Sequence, residues 1–120
     1  MARSLVVKVT CGAEEAERLN QWFTVAAAAA ASGAPVSLWL TGEAAWYGVP
    51  GRAEAFALDL ATPLDQLLAA VLASGTVTVC SQCAARRGIV EADLREGVVI
   101  AGAAVFAEQV LSDGVQALVY

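Results

Sequence analysis

Thr76-Val77-Thr78-Val79-Cys80-Ser81-Gln82-Cys83-Ala84-Ala85-Arg86-Arg87-Gly88 is the stretch on which the reading of this chain turns. Thr76 to Val79 are all β-branched, which suits a pleated strand. Ser81 to Arg87 reads as a short helix, stopped by Gly88. Cys80 therefore falls where a strand gives way to a helix. Amides at a helix start stabilise a thiolate and lower its pKa. Cys83 follows one helical turn later, so the two sulfurs can approach. Arg86 and Arg87 lie two turns beyond Cys80 and bring positive charge. Against the reactive reading of Cys80 stands a plain one, a buried structural cysteine at a strand end.

The same alternation recurs on both sides. Leu5 to Thr10 reads as a buried strand that Cys11-Gly12 ends. Glu14, Glu15 and Glu17 then enrich a first helical turn, where carboxylates meet the positive end of the dipole. Leu19, Trp22, Phe23 and Ala26 recur at spacings of three and four, one apolar face of a helix that runs to Ser32-Gly33. Pro35 opens a second strand, Val36 to Leu40. The segment Glu43 to Ala61 is the least regular, and a connection this long is either functional or partly helical. Its Trp46 and Tyr47, among turn residues, are expected at a contact with a neighbouring subunit.

Thr62-Pro63-Leu64-Asp65 marks the next helix, with Thr62 as cap and Pro63 at the first position. Leu64, Leu67, Leu68, Val71 and Leu72 make its apolar face, and Gly75 closes it. After the central stretch, Ile89 to Gly97 is a linking turn with a helical piece at 91–94. Val98 to Ala101 is the fourth strand. A helix follows through about Ser112, with Val105, Phe106, Val110 and Leu111 expected inward, and Val115 to Val119 is the last strand. Five strands alternating with helices call for a single α/β domain over residues 1–120. Its architecture is three-layer α/β/α with a mostly parallel five-stranded sheet. In such sheets reactive groups gather at the carboxyl ends of the strands.

Composition narrows the function. The 120 residues are 58% hydrophobic and 16% charged, more apolar than a small monomer needs inside, so a homo-oligomer is expected. The net charge of −5 offers no basic stripe for nucleic acid. There is no His, which excludes a Ser-His-Asp or Cys-His site within one chain. The apolar run from Val25 to Leu40 is broken by Ser32, Gly33 and Pro35, too interrupted for a bilayer span. Leu5 to Val9 is too short for a signal-peptide core. A cytoplasmic setting with reduced thiols is the expectation.

Cys-x-x-Cys allows several roles. Thioredoxin-like redox chemistry uses a motif after the first strand and a partnering cis-proline, for which no proline matches. Zinc needs four ligands, and Cys11, Cys80 and Cys83 supply three. A four-cysteine iron–sulfur site fails on the same count. Gly102 carries no phosphate-loop or dinucleotide pattern around it. No cofactor or metal is therefore expected, and sulfur relay remains. Cys83 is either an accessory thiol or a small core residue. Cys11 ends its strand at the same edge; were the two strands neighbours its thiol would approach Cys80, but a packed cysteine is the favoured reading.

Three segments resemble the DsrE/DsrF-like family. They are Cys11-Gly12-Ala13-Glu14-Glu15-Ala16-Glu17-Arg18, Ala31-Ser32-Gly33-Ala34-Pro35-Val36-Ser37-Leu38-Trp39-Leu40-Thr41-Gly42, and Cys80 through Arg86-Arg87-Gly88. The third is similar to the segment that bears the persulfide cysteine in the family's sulfur-relay members. The resemblance implies a parallel α/β domain, trimers or hexamers with the cysteines near subunit contacts, and a persulfide on Cys80. The expected function is thus a cytoplasmic sulfur carrier, sulfurtransferase-like, working with donor and acceptor proteins. Ser81 and Gln82 amides would hold the anion, and Arg86 or Arg87 would orient a donor or partner. The alternatives are a non-catalytic oligomeric binding module and a Cys80–Cys83 dithiol switch.

Overall fold

The computed structural model describes residues 3–120. One sheet holds five strands, β1 (Ser4–Val9), β2 (Val36–Leu40), β3 (Thr76–Cys80), β4 (Val98–Ala101) and β5 (Val115–Val119). The connections form α1 (Ala16–Ala31), α2 (Arg52–Ala55), α3 (Leu64–Ser74), α4 (Ser81–Arg86) and α5 (Ala103–Leu111). Short 3-10 turns occupy Ala13–Glu15, Gly42–Gly48 and Glu91–Asp93. The strands are ordered β4-β3-β2-β1-β5, and every neighbouring pair is parallel. Parallel neighbours need crossovers, which is why the chain alternates strand and helix.

The pleat sorts side chains onto two faces. Val7, Val9, Leu38, Leu40, Val77 and Val79 point into the main core, where Leu19 and Phe23 of α1 and Leu64, Leu68 and Val71 of α3 close over them. Each such side chain contributes about 1.5–3 kcal/mol by leaving water. The opposite face carries Val6, Lys8, Ser37, Trp39, Thr78 and Cys80. Here α5 is the cover. Phe106 meets Trp39 edge-on at 5.2 Å, and Gln109 Oε1 accepts from the Trp39 indole N–H and the Ser37 hydroxyl, both at 2.9 Å. The indole is therefore fully buried without an orphaned donor.

Three sequence expectations need correction. Val105 and Leu111 face outward on α5, Leu111 at 81% exposure, while Phe106 and Val110 are half-buried. Gln109 takes an inward position because Trp39 and Ser37 need its oxygen, and this rotates the helix away from a purely hydrophobic reading. Tyr47 belongs to its own chain's core, edge-on to Phe23 and Phe56, and Trp46 lies under the Arg52 guanidinium. Helix α3 begins one residue late, with Pro63 extended at the cap position. The Thr62 carbonyl is held instead by the Asn20 amide at 3.1 Å. Among the described residues, no helix is long and apolar enough to cross a membrane.

Candidate functional site

Cys80 is the last residue of β3 and the residue that caps α4, with an extended backbone (φ −61°, ψ 128°). Its thiol is half-buried, while Cys83 is buried; Cys11, Cys80 and Cys83 are all free thiols. Burial by itself pushes the Cys80 thiol up. The Cys83 backbone N–H, the Cys83 thiol, the Gln82 N–H and the Lys8 ammonium outweigh it and hold the group below its ordinary value. Donors aimed at a sulfur favour its anion, which is the protonation state that reacts.

Cys83 is fixed from the other side. The Gly42 N–H donates to Cys83 Sγ at 3.2 Å. Gly42 stands at φ +55°, and a Cβ there would lie 2.8 Å from the Thr10 carbonyl oxygen, so only glycine brings this amide to the sulfur. The next residue completes a clamp. Arg87 Nε donates to Glu43 Oε2 at 2.8 Å, and Arg87 Nη1 donates to the Cys83 carbonyl at 3.1 Å. The turn after β2 thus grips α4 at both its thiol and its last turn.

The residues singled out in the sequence separate accordingly. Cys80, Cys83 and the Gln82 amide come together. Ser81 Oγ packs against Gly102, where a Cβ would approach to 3.1 Å. Arg87 is engaged by Glu43, and Arg86 is exposed and forms no ion pair among the described residues. Neither arginine is among the strongest influences on Cys80. Cys11 is buried elsewhere, its thiol directed at the Glu15 carbonyl at 4.0 Å, and burial together with Glu14 raises its pKa. β2 lies between β1 and β3, so the adjacency that would have joined Cys11 to Cys80 does not occur. No three Cys, Asp or Glu side chains gather as a metal site among the described residues.

Lys8 is the residue that sequence reasoning missed. A single lysine inside a valine-rich strand was visible, but its relation to Cys80 depends on strand order. A largely apolar cleft of about 360 Å³ is at the opposite, amino end of the strands between Val6, Val36, Gln109 and Val115, away from this chemistry.

A wholly parallel five-stranded α/β sheet, with a strand-end thiol flanked by hydrogen-bond donors, is the class of protein defined here. The DsrE/DsrF-like family model matches residues 4–119, and the chain belongs to that family. Its fold is shared with the ychN protein of E. coli, 23% identical, over 98% of this chain and 99% of that one, with a TM-score of 0.82. A protein of unknown function from Methanobacterium thermoautotrophicum, MTH1491, superposes over the full length of both chains at 9% identity and a TM-score of 0.68. No curated protein matches the sequence.

Proposed function

We propose that this protein is a cytoplasmic sulfur carrier that holds a persulfide on Cys80 and passes it to a partner thiol. The observation that carries this reading is the half-buried Cys80 thiol at the end of β3, served by the Gln82 and Cys83 amides and the Cys83 thiol. The Cys80 thiolate attacks the outer sulfur of a donor persulfide. The new S–S bond forms as the donor's S–S bond breaks, and the electron pair leaves on the donor thiolate. A partner thiolate then attacks the outer sulfur of the Cys80 persulfide in the same sense, and Cys80 is released as thiolate. Cys83 is more buried than Cys80 and acts as a donor to it, an accessory in both steps.

The test is intact mass after incubation with a small-molecule persulfide. Wild type should gain one sulfur that a reductant removes, and Cys80→Ser should gain none. Equal gain in Cys80→Ser would sink the assignment.

The carrier acts as a homo-oligomer, a trimer or hexamer, in this reading. Support comes from the outer side of α5, where Val105 and Leu111 are exposed, and from Val99 on the same sheet face at 48% exposure. No residue of α5 is buried within the chain. A second copy seated there would cover apolar surface on the side of the sheet that carries Cys80.

A further inference from the structure

Lys8 stands apart from the other cations in this acidic chain. It lies on β1, level with Trp39 of β2, which is level with Thr78 of β3. Alternation puts Lys8, Trp39, Thr78 and Cys80 on one face of the sheet. Cys80 is thus two strands across and two residues along from Lys8, about 10 Å by 7 Å at the backbone. The diagonal is about 12 Å, longer than a lysine side chain, so the ammonium acts on Cys80 through space and not by contact. The stem is not free to wander. The ammonium sits 4.9 Å from the Phe106 ring centroid, and Phe106 is itself braced edge-on against the buried Trp39. The aromatic floor holds the cation on the Cys80 face, as long amphipathic side chains are held when their stems pack.

Lys8 makes no salt bridge among the described residues, whereas Arg87 and Arg95 are both paired with glutamates. A half-buried cation with an aromatic brace and no carboxylate has an unused charge. That charge lies on the face of the sheet that carries Cys80. The same ammonium also favours the Cys80 thiolate.

We propose that Lys8 makes the Cys80 site selective for small anionic reactants, so that its sulfur donors are those with a negative charge beside the sulfane sulfur. This rests on Cys80 being the reacting thiol. Lys8 is a positioning residue. It draws the anionic group of the donor to the sheet face while Cys80 attacks the sulfane sulfur, and it balances charge on the departing thiolate.

Charge selectivity can be read without any sulfur transfer. The Cys80 alkylation rate is measured with iodoacetate, which is anionic, and with iodoacetamide, which is neutral, and tandem mass spectrometry assigns the adduct to Cys80. The ratio of the two rates cancels any change in thiolate fraction. In wild type the ratio should exceed that of free cysteine by about two- to tenfold, the range expected for one charge at this separation in a partly aqueous setting. Lys8→Met should bring the ratio down to the free-cysteine value, and Lys8→Arg should keep it. Raising salt should lower the wild-type ratio without any substitution, which protects the test against a misfolded variant. A wild-type ratio equal to free cysteine, or one that Lys8→Met leaves unchanged, overturns the proposal. Failure of persulfide loading with the ratio still dependent on Lys8 would remove the carrier reading, and the sulfur donors with it, and leave the selectivity for anionic reactants standing.

Discussion

At the scale of single residues, Cys80 and Cys11 show how position decides the character of one side chain. Cys80 ends β3 and Cys11 lies two residues beyond the end of β1, and both are partly withdrawn from water. Burial raises both thiols, but Cys80 receives amide N–H groups, a thiol and a lysine, whereas Cys11 has Glu14 and Glu15 beside it. A lowered pKa means that the proton leaves at lower pH, so more thiolate is present at neutrality. The Cys80 alkylation rate should therefore reach half its maximum below the value near 8.5 of a free cysteine. Cys83→Ala removes one of the donors and should move the midpoint upward. Rates with a neutral reagent across a pH series, mapped to Cys80, check both; a midpoint at or above that of free cysteine contradicts the donor account. The sign for stability follows. A depressed thiol favours the folded state above its unfolded pKa, and that advantage disappears as pH falls through the folded value.

Among elements, the junction of the Gly42–Gly48 turn with α4 positions the site. Its two contacts differ in kind. The Gly42 amide is placed by a left-handed backbone that a side chain cannot share, since the Thr10 carbonyl already fills the space. The Glu43–Arg87 pair is a surface ion pair whose glutamate is 54% exposed. Gly42→Ala should cost about 1–3 kcal/mol from strain and the close approach. Glu43→Gln should cost less than about 1 kcal/mol, because exposed pairs are screened. Urea unfolding of the two variants gives the comparison. Equal losses would mean that the turn is held by charge and not by backbone geometry.

On the scale of the whole molecule, the chain closes its own main core. Its accessible surface is 6356 Å², near the roughly 6,100 Å² expected of a folded monomer of this mass. In the proposed oligomer, association would be an added layer, built on α5 and the exposed side of β4. Replacing both Val105 and Leu111 by Glu should leave the chain folded, with wild-type circular dichroism. Sedimentation should show the oligomer replaced by a 12.3 kDa species. Wild type sedimenting as a monomer would refute the oligomer, and a double variant that stays assembled would put the interface elsewhere.

Local patterns in the chain were enough for the five strands, their parallel class and the place of Cys80 at a strand end. Such patterns depend on neighbours within a few residues: β-branched runs, three-four spacing and glycine stops. Strand order depends on pairings between residues tens of positions apart, and no local pattern encodes those. That order put β2 between β1 and β3, so Cys11 was separated from Cys80 and Lys8 was brought to its face. Packing likewise turned Gln109 inward to satisfy a buried indole and drew Tyr47 into the core. The sequence alone determined which cysteine ends the third strand. Only the tertiary structure decided which charge and which donors surround it, because those groups meet through long-range strand pairing and side-chain packing.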